Sequence, residues 1–103
     1  MDSIDYATKL QKEFAVDQGD AIKMLDAETD DMRSDPFYPN RKLRYQEALD
    51  LAYEHLRDWL ATGTEYAIRL DWKDIAEFAA SHRRACVWAV LTCKARLSKA
   101  VQS

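Results

Sequence analysis

Glycine and proline are nearly missing from this chain, with two of each in 103 residues. A fold built of β-strands needs a turn roughly every 8–12 residues, with the Gly, Pro or Asn that turns demand. Their scarcity leaves helices as the main element. Long apolar runs are missing too. The longest, Ala85 to Leu91, falls far short of the roughly 18 residues that a membrane-spanning helix requires. The opening Met1-Asp2-Ser3-Ile4-Asp5 is acidic where a secretory leader is basic and then apolar, so no leader is expected. Only two cysteines occur, Cys86 and Cys93. On one helix they would stand ~10 Å apart along the axis, too far for a disulfide. Reduced thiols fit a cytoplasmic protein.

Catalytic signatures are also lacking. There is no glycine-rich phosphate loop, no HExxH and no CxxC. The histidines are His55 and His82 alone. Ser81 precedes His82, but neighbours on a helix point about 100° apart, which excludes a nucleophile–base pair. His82 and Cys86 at i, i+4 could grip a metal, yet the further ligands that zinc wants are not in evidence. No metal, no cofactor and no enzymatic activity are expected.

What is present is helical patterning and an uneven charge. Residues 1–35 carry ten acids against four bases, −6; the remainder carries eleven bases against eight acids, +3, and no acid follows Glu77. Such asymmetry fits either an interaction surface or a chain complementary to itself.

Four helices are expected, over residues 3–15, 20–32, 40–62 and 71–101, in a single all-α domain spanning 1–103. The first carries Ile4, Ala7, Leu10 and Phe14 on one stripe, with Ser3 as N-cap. Asp20 would cap the second, which is expected to fray after Ala27 because Glu28, Asp30 and Asp31 would crowd its negative end. Pro36 and Pro39 mark a loop in which Phe37 and Tyr38 would form a lid. Asn40 would cap the third helix and Gly63 would stop it. Its buried stripe is Tyr45, Ala48, Leu49, Ala52, Leu56, Trp59 and Leu60, and Glu47, Asp50, Glu54 and Asp58 form its solvated face. Between Glu65 and Trp72, alternation of Tyr66, Ile68, Leu70 and Trp72 reads as an extended connector. Strand addition to another protein's sheet is the sharper alternative for that segment.

The last helix, Asp71 to Val101, is the longest and would be central. Ile75, Phe78, Ala79, His82, Cys86, Ala89, Val90, Cys93 and Leu97 step by three and four, which suits bundle packing. Residues 85–91 are apolar all round, as a helix covered on both sides requires. A second stripe, Arg84, Trp88, Leu91 and Ala95, carries residue types enriched at interface hot spots. Either the first helices cover it or a partner does.

Two functional readings follow. The first is a non-enzymatic protein–protein interaction module, a small cytoplasmic regulator, adaptor or inhibitor. It would act as a dimer or on another protein through Arg84, Trp88, Leu91 and Ala95. The alternative is a small nucleic-acid-binding regulator. Asn40, Arg41, Lys42 and Arg44 crowd a helix N-terminus and would hold a phosphate there, unless Glu28, Asp30, Asp31 and Asp35 neutralise them.

Overall fold

The computed structural model describes residues 1–34 and 43–102. Among these residues the fold is all-α, with five helices where four are expected: α1 (Ser3–Phe14), α2 (Gln18–Ser34), α3 (Tyr45–Arg69), α4 (Ile75–Ser81) and α5 (Arg84–Gln102). A short 3-10 turn, Trp72–Asp74, joins α3 to α4. The loop residues Phe37 and Tyr38 lie outside the described residues.

The N-cap of α1 is Asp2, not Ser3. Its carboxylate accepts from the Asp5 N–H at 2.9 Å, and Asp5 Oδ2 accepts in return from the Asp2 N–H at 3.4 Å. The helix ends at Ala15, whose φ of 56° is left-handed, and its N–H closes on the Gln11 carbonyl at 2.8 Å. Val16 then turns inward and is buried. Asp17 takes the capping role expected of Asp20, accepting from the Asp20 N–H at 3.1 Å.

Helix α2 does not fray after Ala27. Met24, Leu25, Thr29 and Met32 are buried along it. Each large apolar side chain so buried is worth about 1.5–3 kcal/mol. That outweighs the ~0.3–1 kcal/mol by which an acid at a helix C-terminus offends the dipole. Glu28, one of the offending acids, is itself buried and ion-paired.

The third helix differs from expectation at both ends. It starts at Tyr45, and it runs through Gly63 to Arg69. The buried stripe continues past Leu56 and Leu60 to Gly63 and Ala67, steps of three and four that belong to a helix. Gly63 therefore serves packing and not termination. A Cβ placed on it would stand 2.9 Å from Cys93 Sγ. With Ala67 and Ala89 also buried, α3 and α5 lie close along their length. The alternation of 65–72 was not an extended connector: residues 65–69 are helical, and Tyr66, Ile68 and Trp72 stay 48, 68 and 58 % exposed.

The expected helix 71–101 is broken. α4 stops at Ser81, His82 is extended (φ −128°, ψ 160°), and α5 starts at Arg84. Of the expected core stripe, Phe78, Ala89, Val90 and Cys93 are buried, Cys86 and Leu97 half-buried, while Ala79 and His82 face solvent. Nor is the last helix the longest or the central one: among the described residues that element is α3, 25 residues long, which packs on α1, α2 and α5, whereas α5 packs on α3 and α2.

Part of the charge asymmetry is met inside the chain. Arg84 forks onto Asp31 of α2 at 3.0 and 3.2 Å. Arg96 donates to the Phe14 carbonyl at 2.6 Å and also to that of Ala15, covering the orphan carbonyls that end α1. Lys94 reaches the Ala67 carbonyl at 3.3 Å with its ammonium over the Trp72 ring. The bases of α5 thus serve the ends of its neighbours. No described helix is long and apolar enough to cross a membrane.

Candidate protein interface

The break between α4 and α5 creates a concavity. Ala79 and His82 form one wall, and Arg84, Val87, Trp88 and Leu91 the other, around an open trough of about 350 Å³. Depressions of similar size lie elsewhere, one of about 390 Å³ beside Phe14, Glu54, Arg57 and Asp58, and one of about 330 Å³ beside Tyr66, Arg69 and Leu70. Volume does not separate them. Lining does, since the α4–α5 trough is the one walled mainly by apolar side chains with a tryptophan among them.

Three of the four stripe residues expected to meet a partner come together here. Trp88 is half-buried with part of its ring packed on the core, and Leu91 is half-buried beyond that core. Arg84 is exposed but held by Asp31. Ala95, one turn further on, is exposed and outside the trough. The trough's lining comes from α4, α5 and the break between them, and α2 reaches its edge through Asp31 on Arg84.

Aromatic side chains gather around His82 at the edge of the trough. The Phe78 and His82 rings stack with centroids 4.1 Å apart, and Tyr66 of α3 lies 5.2 Å from Phe78 and 6.2 Å from His82. Sequence reading missed Tyr66 because the apparent period of two placed it on a connector. The continuing stripe of Leu60, Gly63 and Ala67 was the signal that 65–69 is helix, which turns Tyr66 toward α4.

At the break Ser81 Oγ lies 3.0 Å from His82 Nδ1. The pair is not a nucleophile and its base. His82 Nδ1 also lies 2.9 Å from the Phe78 carbonyl, which can only accept, so Nδ1 carries the proton and has no lone pair for Ser81. Ser81 Oγ itself donates to the carbonyls of Glu77 and Phe78, both at 3.2 Å. Nor is Cys86 an activated thiol, since burial first and the Glu28 carboxylate second push its pKa up. His82 and Cys86 stand on opposite sides of the break, and no group of three or more potential ligands among the described residues could hold a metal.

One buried cluster was not foreseen. Glu28 of α2 is fully buried. His55 Nδ1 of α3 lies 2.7 Å from its Oε2, and Arg83 Nε, from the break itself, lies 3.1 Å from Oε1. The Arg83 contact is an ion pair without hydrogen-bond alignment, so Oε1 has no aligned donor. An acid at the wrong end of a helix dipole was the visible anomaly, and its explanation lay 27 and 55 residues away.

The anion-binding candidates Asn40, Arg41 and Lys42 lie outside the described residues. Arg44 is exposed at the N-terminus of α3, its N–H directed at Glu47 Oε1 at 3.4 Å. Glu28 and Asp31, expected to neutralise this cluster, are engaged by Arg83 and Arg84 instead.

No family model, no curated protein and no solved structure matches this chain. Its functional reading therefore rests on the surface just described.

Proposed function

We propose that this chain is a non-enzymatic protein–protein interaction module, a small cytoplasmic regulator, adaptor or inhibitor. It acts as a dimer that meets its partner through the trough between α4 and α5. The observation that carries this reading is the half-exposed Trp88, set with Leu91 and Val87 in an apolar concavity. Trp and Tyr bury large rigid areas at small entropic cost and concentrate at interface hot spots. The free thiols Cys86 and Cys93 support a reducing compartment.

The nucleic-acid reading through Asn40, Arg41, Lys42 and Arg44 has only Arg44 among the described residues, exposed at the start of α3; Arg84, Lys94 and Arg96 add nothing to it, because they are engaged within the chain. Such binding needs bases available to displace counterions.

Light scattering over a range of concentrations tests the assembly. A dimer has twice the chain mass of 11.9 kDa. A mass of one chain throughout would contradict self-association and leave a different protein as the only partner for the trough.

A further inference from the structure

The sequence from Asp71 to Val101 contains neither Gly nor Pro, and its apolar residues keep helical spacing across Ser81, His82 and Arg83. Nothing local tells this helix to stop. Yet it stops, with His82 extended and the chain redirected. Where local preference and the observed backbone disagree, tertiary contacts hold the difference, and such places concentrate at functional sites.

The contacts that hold the break are identifiable. Arg83, at the break, is drawn to the fully buried Glu28 carboxylate, which His55 also binds. Arg84, the first residue of α5, is forked onto Asp31, one turn beyond Glu28 on α2. The His82 ring donates to the Phe78 carbonyl in the last turn of α4. On the other side α4 is weakly anchored: Phe78 is its only buried residue, and its packing on α5 is slight. The bend therefore depends on α2 carboxylates and not on α4 itself.

We propose that the α4–α5 joint is a two-state device. In the bent form Glu28 and Asp31 hold Arg83 and Arg84 and the trough exists. In the straight form α4 continues α5 as one helix, and the trough is lost. The concavity between Ala79 and Leu91 exists only because two helices meet at an angle; the side of a straight helix is convex. Bistable packed elements of this kind are how small changes at one place are relayed to a binding surface. That consequence for binding rests on the interaction reading above, whereas the two conformations of the joint do not.

The joint is tested on the isolated chain by the 13Cα chemical shifts of His82 and Arg83, which separate extended from helical backbone. In the native chain His82 is expected in the extended range. In both Glu28→Gln and Arg83→Gln it is expected to move into the helical range, while the shifts of α3 and the rest of α5 hold. A His82 that stays extended in both variants would overturn the proposal. So would unfolding of both, which would make the cluster a fixed staple of the core. If Glu28→Gln alone unfolds, Arg83→Gln decides between the outcomes. The readout involves no partner, so it succeeds or fails separately from dimerisation.

Discussion

Gly63 of α3 faces Cys93 of α5 so closely that any side chain on Gly63 would meet the sulfur. The 2.9 Å between a Cβ at position 63 and Cys93 Sγ is inside contact distance, and Cys93 is buried with little room to turn. Gly63→Ala sets two effects against each other. Helix propensity gains about 1 kcal/mol, and overpacking costs about 1–3 kcal/mol. We expect overpacking to win, with a net loss of about 1 kcal/mol in urea unfolding. Cys93→Ala should return most of that loss in the double variant. Additive losses would show that the two residues do not share one contact.

That pair also marks how far the sequence could be read. Leu10, Leu25, Ala52 and Leu56 were placed in the core by periodicity alone, and the all-α class followed from the scarcity of turn residues. Gly63 was misread because a glycine at the end of a stripe and a glycine at a close helix crossing look alike locally. The break at His82 left no local trace, because Glu28 and Asp31 impose it from a distant part of the chain. Of the candidate interface, Trp88, Leu91 and Arg84 were legible as a stripe. The trough was not, since it exists only through that break.

The Tyr6–Asp50 hydrogen bond links α1 to α3 at 2.5 Å and should leave a titration signature. Donation to Asp50 is the first cause that pushes the Tyr6 phenol up from 10.0 to about 12, with burial second. The same bond is the first cause that holds the Asp50 carboxyl below 3.8, helped by Gln46. The pair's stabilisation is therefore complete between the two ordinary values. It falls as pH drops below 3.8 toward the native carboxyl value, and falls again as pH rises from 10.0 to about 12. Asp50 is exposed, so solvent screens the effect, and Tyr6→Phe should cost no more than ~1 kcal/mol at neutral pH. Ultraviolet titration should show one phenol ionising near pH 12, and Asp50→Asn should bring it back toward the ordinary range. A phenol that titrates identically in the variant would contradict the bond.

Ala15 holds a left-handed φ of 56° at the end of α1. That region costs a residue with a Cβ about 1–2 kcal/mol, whereas glycine enters it freely at some cost in unfolded-chain entropy. Ala15→Gly should therefore stabilise the protein by about 0.5–1 kcal/mol, read as a higher urea midpoint with unchanged slope. A lower midpoint would mean that the terminus relaxes to another geometry in solution.

Thiol labelling checks the packing of α5 directly. Cys86 is half-buried and Cys93 buried against Gly63. A neutral thiol reagent should modify Cys86 in the folded protein, slowly because its pKa is raised. Cys93 should react only on unfolding. Equal reactivity of both would mean that α5 does not lie against α3 as described.

The partner-binding role of the trough is tested most directly by the solution mass of Trp88→Arg, with circular dichroism as the check on folding. Trp88 is half-buried, so a charged replacement can keep its guanidinium in water while spoiling an apolar contact. We predict a variant with native helicity and the mass of one chain, where the native chain is expected to be a dimer. An unfolded variant would place Trp88 in the core, and a folded variant that still dimerises would place the interface elsewhere; either result contradicts the prediction.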